Sequence, residues 1–290
     1  MADRDWPFMG TEALSAGRVS RRALRSQHEL VYRNVYVPKG RELTAVTRGI
    51  AAWLWSGRAA TLAGLSAAAL HGSRWIDARL PAELNRAEPC GVEGIVIHRD
   101  KLFDEESCVV KGVPVTTPAR TAFDLGRRKG LTTGVIRLDA LANATALKAV
   151  EVEELIQRHR GVRGLVQLRQ VLELMDGGAE SPQETRTRLL LVRAGLPKPE
   201  TQIVVADGSG YPFARIDMGY REWKVGIEFD GAQHWTDPAR RTADIDRYAE
   251  LGALGWVIIR VSSDLLRYRP AVVVARVSGA LTAAGCRMWV

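Results

Sequence analysis

The chain has 290 residues, 46% hydrophobic and 26% charged, an ordinary globular composition with the length of two or three domains. Its 41 Lys and Arg against 33 Asp and Glu leave a formal charge of +8, a surplus that favours an anionic partner without naming one. Three scattered cysteines, Cys90, Cys108 and Cys286, exclude a disulfide framework or a thiolate zinc site. No apolar run nears the roughly 18 residues of a spanning helix. The opening MADRDWPFMG carries acids where a secretory leader would be basic and then apolar. The expectation is a cytoplasmic protein with no membrane partner.

The first predicted domain covers residues 1–44. Residues 1–60 hold ten cations against five acids, which is +5 of the total +8. Thr11 is expected to cap a helix through Ala16, broken by Gly17. Ser20 is expected to cap a second helix running to about Ser26. Leu14, Val19 and Leu24 form the apolar side, so Arg21, Arg22 and Arg25 project away from it. LVYRNVYVPKG then reads as a β-hairpin turning at Arg33-Asn34 and stopped by Pro38. Helix, turn, helix, hairpin is the layout of a winged helix-turn-helix. Its arginines, including Arg33 on the wing, suit phosphate contacts that position a protein on double-stranded DNA.

A middle α/β and helical domain is predicted over 45–177. TRGIAAWLWSG and GLSAAALHG read as helices, and GIVIHRD and ESCVVKGVPV as strands. Thr117-Pro118 opens a further helix, with Pro at its first position. His71 and His98 stand alone in apolar surroundings and read as structural residues. Amphipathic helices fill 131–175 and stop at Asp176-Gly177-Gly178.

The third domain, 178–290, holds the sharpest chemical signal. Ser181-Pro182-Gln183-Glu184 has the form of a capping box, and its helix runs to Gly195. TQIVVAD and YPFARID form a hairpin around Gly208-Ser209-Gly210, its second strand ending at Asp217. KVGIEFDG is the next strand, and a period of two puts Glu228 and Asp230 on one side of it. Two carboxylates on one side of a buried strand repel each other and lose hydration, so they call for a cation. With Asp217 they make three hard oxygen ligands suited to Mg²⁺ or Mn²⁺, an ion able to activate water against a phosphodiester. His234, four residues after Asp230, is placed to orient or protonate such a phosphate. A helix from Pro238 to about Ala253 carries Asp244 and Arg247 three apart, and WVIIRV closes the sheet. The fold class is therefore α/β and multi-domain, ending in a mixed sheet with flanking helices.

Residues from about 180 to 285 resemble the PD-(D/E)XK, or restriction-endonuclease-like, superfamily in its Vsr-like branch. The resemblance rests on Ser181 and Glu184, Gly195-Leu196-Pro197, Gln202, Asp217, Glu228-Phe229-Asp230-Gly231, His234, Asp244 with Arg247, and Gly255-Trp256-Val257-Ile258-Ile259-Arg260. It implies metal-binding roles for Glu184, Asp217 and Glu228, with Gln202, Asp244 and Arg247 in support. The superfamily's Lys two residues after the third-strand acid is replaced here by Asp230, which leaves the base unassigned. The N-terminal part is similar to the AbiEi-type antitoxin family, through Phe8-Met9-Gly10, Glu12-Ala13, Val35-Tyr36-Val37-Pro38, Ser66 to Gly72, and Val115 to Leu125. That similarity implies transcriptional regulation or neutralisation of a cognate toxin.

Two functions follow. The leading expectation is a metal-dependent DNA endonuclease delivered by the N-terminal module, and cutting at a palindrome would require a homodimer. The alternative is a non-catalytic DNA-binding regulator or antitoxin that keeps a nuclease-like scaffold.

Overall fold

A computed structural model describes residues 6–88, 91–128, 130–230 and 238–287, with 238–243 as backbone only. His234 and Cys90 lie outside the described residues. The chain forms two compact units, Met1–Met175 and Asp176–Val290. Among the described residues no helix is long and apolar enough to cross a membrane.

The first unit opens with β1 (Phe8–Met9), α1 (Gly10–Ser15), α2 (Arg21–Gln27), β2 (His28–Tyr32) and β3 (Val35–Pro38). The strands form an antiparallel sheet in the order β1-β3-β2. Ser20 caps α2 as expected, its Oγ accepting from the Ala23 amide at 3.1 Å. Thr11 does not cap α1. The cap position is Met9, and Thr11 binds Asn34 at the hairpin turn instead, through the Thr11 amide to Oδ1 (3.0 Å) and Asn34 Nδ2 to Oγ1 (2.9 Å). Asn34 has φ +64°, a left-handed conformation that Asn tolerates better than most residues. Its side chain thus fixes both the turn and the start of α1.

The unit continues through α3 (Ala45–Trp55), β4 (Thr61–Leu62), α4 (Gly64–Leu70), β5 (Ala82–Asn85), β6 (Ile95–His98), β7 (Ser107–Val110) and β8 (Val113–Thr116). Four helices follow: α5 (Pro118–Arg128), α6 (Leu131–Thr145), α7 (Ala149–Arg158) and α8 (Leu165–Leu174). A mixed sheet runs in the order β6-β5-β4-β8-β7. The boundary expected after residue 44 falls inside this unit. Tyr32 and Val35 share one apolar core with Ile50, Leu62, Leu84 and Val115, and the Tyr32 hydroxyl donates to Gly94 O at 3.0 Å. A sheet as small as β1-β3-β2 cannot bury enough apolar surface by itself, so it borrows the neighbouring core. His71 and His98 have structural partners, Thr116 O and Glu83, each at 2.7 Å.

The second unit contains α9 (Pro182–Arg193), β9 (Glu200–Ala206), β10 (Pro212–Tyr220), β11 (Val225–Asp230), α10 (Pro238–Ala253) and β12 (Val257–Ser262). It ends with α11 (Ser263–Tyr268) and α12 (Pro270–Ala283), which the sequence reading does not anticipate. The sheet order is β12-β11-β10-β9, antiparallel except for the parallel pair β11-β12 that α10 connects. Leu191 of α9 and Val273, Val277 and Leu281 of α12 join Ile227 and Val261 in one core, while Leu251 of α10 and Trp256 join Ile203 and Ile216 in another.

Candidate functional site

The second unit holds a cleft of about 250 Å³ where β10, β11, β12 and α10 meet. It is lined by four acids, Asp217, Glu228, Asp230 and Asp244, and three arginines, Arg215, Arg247 and Arg260. Strand geometry explains the grouping. The last registered pair of β10 and β11 is Met218 with Ile227. One step beyond it, the Phe229 amide donates to Asp217 Oδ2 at 2.8 Å, which holds Asp217 beside Glu228. The parallel register of β11 with β12 pairs Glu228 with Arg260 and so brings that arginine to the same side.

Each acid has a defined environment. Glu228 is buried, and Arg247 grips it in a fork, Nη1 to Oε1 at 2.7 Å and Nη2 to Oε2 at 3.0 Å. Tyr248 donates its hydroxyl to the same Oε2 at 2.5 Å. The carboxylate beside it raises the Arg247 pKa, while burial and then Glu228 raise that of the Tyr248 phenol. Asp230 pairs with Arg260 at 2.5 Å, and the guanidinium of Arg260 also lies 5.5 Å from the centre of the Tyr248 ring. Asp244 stands 3.6 Å from Arg247.

Asp217 differs from the others because it forms no ion pair with a cation among the described residues. Burial pushes its pKa up to about 7, the Phe229 amide acts against that rise, and the nearby charges of Glu184 and Glu228 add to it. Glu184, buried on the first turn of α9, is not among the cleft-lining residues. It accepts from Ser181 Oγ at 2.8 Å and from the Glu180 amide at 2.9 Å, which makes it a helix-cap carboxylate. Burial, above all, raises its pKa. Gln202 Nε2 lies 3.5 Å from Glu184 Oε2, and its backbone has φ +54°, a left-handed conformation inside β9.

The structure therefore gathers Asp217, Glu228, Asp230, Asp244 and Arg247 into one cleft and leaves Glu184 and Gln202 beside it. Arg215, Tyr248 and Arg260 belong to the cleft and were missed by sequence reasoning. The register of the final strand against β11 was the signal for Arg260, and the position next to Arg247 was the signal for Tyr248. Among the described residues, no group of three His, Cys, Asp or Glu side chains is placed to hold one metal ion.

The other predicted contact surface lies in the first unit. Arg21, Arg22 and Arg25 are exposed on α2, and Arg33 is exposed at the hairpin turn. Leu24 and Ala13 are the buried side of the helix pair.

One comparison with known proteins bears on the first unit. The family model of the AbiEi antitoxin C-terminal domain matches residues 58–174. The chain is also similar to two uncharacterised proteins of Mycobacterium tuberculosis, one from strain CDC 1551 / Oshkosh and one from strain ATCC 25618 / H37Rv. Each is 32% identical over 169 residues, which is 58% of this chain and 62% of the relative.

Proposed function

We propose that this protein is a DNA-binding regulator of the AbiEi antitoxin type, with a cognate toxin as its protein partner. The match of residues 58–174 to the AbiEi antitoxin domain carries the reading. It follows, with α3 between them, the strand-helix-helix-hairpin segment whose second helix exposes Arg21, Arg22 and Arg25. In this reading residues 8–38 act as a winged helix-turn-helix. α2 lies against duplex DNA, and Arg33 at the wing reaches a neighbouring phosphate. A homodimer would let two such modules read paired half-sites.

A metal-dependent endonuclease is the second reading. It is favoured by one observation, the placement of Asp217 and Glu228 in a single cleft.

Two assays on the full chain decide between them. Fluorescence anisotropy in EDTA measures binding to promoter duplexes and to a scrambled duplex, and plasmid digestion with Mg²⁺ or Mn²⁺ measures cleavage. The regulator reading expects preferential binding to one duplex and intact plasmid. Equal binding to all duplexes would sink it, as would metal-dependent cleavage that Glu228→Gln abolishes.

A further inference from the structure

A divalent cation at the cleft would depend on Glu228, and that carboxylate is already engaged. Arg247 donates to both of its oxygens and Tyr248 to one of them, three donors and a full positive charge on a buried group. A magnesium ion needs carboxylate oxygens at about 2.0–2.1 Å in near-octahedral order, and it would have to share Glu228 with a guanidinium cation at hydrogen-bond range. Of the other two acids that the nuclease resemblance implies as ligands, Glu184 is engaged through both oxygens and Asp217 through one. Glu184 serves Ser181 and the Glu180 amide, and Asp217 Oδ2 serves the Phe229 amide. With no metal-competent group of three among the described residues, the donor set does not fit a divalent ion.

We propose that Arg247 is the permanent counter-cation of Glu228, standing in the charge-neutralising place of a metal, so that the second unit folds and functions without one. The buried carboxylate on β11 needs a positive partner in either case, because an unpaired charge at that depth is strongly unfavourable. The bidentate fork from α10 supplies it from within the chain. Tyr248 adds a neutral donor, and Arg260 meets the charge of Asp230 next to it. α10 is thereby tied to β11, inside the sheet, by ionic hydrogen bonds as well as by Leu251 in the core.

Titration of the full chain with MnCl₂, followed by electron paramagnetic resonance of free Mn²⁺, tests this, with melting temperature as a second readout. Wild-type protein is expected to leave the free Mn²⁺ signal and its own melting temperature unchanged. Arg247→Met, which frees Glu228, is expected to melt lower in EDTA and to regain melting temperature on adding Mn²⁺. Stoichiometric Mn²⁺ binding by the wild type that is lost in Glu228→Gln overturns the proposal, and so does a folded Arg247→Met protein indifferent to Mn²⁺. Stoichiometric binding that survives Glu228→Gln but is lost in Asp217→Asn lies in the same cleft and overturns the proposal as well. If Arg247→Met does not fold, the wild-type and Glu228→Gln titrations decide the matter. None of these readouts involves DNA, so failure here is distinct from failure of the regulator reading.

Discussion

Asp217 is the residue whose ionisation the fold opposes most openly in the cleft. Its pKa rises from the ordinary 3.8 to about 7, through burial and through Glu184 and Glu228. An acid with a raised folded-state pKa contributes stability that is fully present below its unfolded value and lost as pH climbs through the folded one. The second unit should therefore weaken between about pH 4 and 7. Asp217→Asn keeps the shape and removes the charge, so it should flatten that slope and stabilise the protein at pH 8 by roughly 1–3 kcal/mol, after discounting for solvent access. Urea unfolding at pH 5 and pH 8 checks this, and parallel pH profiles for variant and wild type would refute it. At this scale the sequence was partly legible. Alternation along KVGIEFDG places Glu228 and Asp230 together, and the strand end at Asp217 brings it alongside. Local spacing also joins Arg247 to Asp244, but the shorter contact is with Glu228, nineteen positions earlier and across a crossover. Spacing along a helix reports neighbours three or four apart and is blind to partners on another element.

Among the elements, α5 shows most plainly how buried charge organises this protein. Arg120 is almost wholly buried, and its guanidinium binds Glu106, Asp124 at 3.0 Å and Lys101 O at 2.9 Å. Glu106 also meets His159 just past α7 at 2.5 Å, while Arg127 joins Asp124 to Asp100. The cluster fastens α5 both to the segment before β7 and to the end of α7. Removing Arg120 takes the buried cation shared by Glu106 and Asp124, so Arg120→Ala should cost about 3–5 kcal/mol in chemical denaturation. Arg120→Met, which fills the space without the charge, still takes the guanidinium from Glu106, which keeps His159, and should recover only part of that loss. A cost within the range of an exposed substitution would show that the cluster is solvated. The sequence announced α5 through Thr117-Pro118, because Pro at a first helical position is a local signal. It did not announce β4, which at two residues is too short to show a period, or β5, whose AELN carries no β-branched or aromatic residue. Nor did it announce α12, whose run PAVVVARVSGALTA is rich in β-branched residues. Val273, Val277 and Leu281 recur every four residues and meet the core, and that burial outweighs local preference.

Over the whole molecule, charge is distributed in a way that separates binding from scaffolding. Residues 1–60 carry +5 of the +8, whereas residues 176–290 hold 15 cations against 14 acids. The second unit is thus nearly neutral, and three of its arginines, Arg215, Arg247 and Arg260, are paired with Glu180, Glu228 and Asp230. A polyanion approaching the chain gains most at the exposed arginines of α2 and the hairpin turn. Each phosphate contact releases condensed counterions and adds about 0.9 to the slope of log affinity against log salt. Replacing Arg21, Arg22 and Arg25 together with Ala should weaken duplex binding and reduce that slope by up to about 2.7. Arg260→Gln in the second unit should leave the slope unchanged, because its charge is already answered by Asp230. Both variants change surface residues, so their folds should survive, and anisotropy titrations over a range of KCl concentrations read the two slopes directly. A slope that falls with Arg260→Gln and not with the α2 triple variant would move the DNA surface to the second unit. The regulator reading would then lose its N-terminal module, while the nuclease reading would regain its substrate.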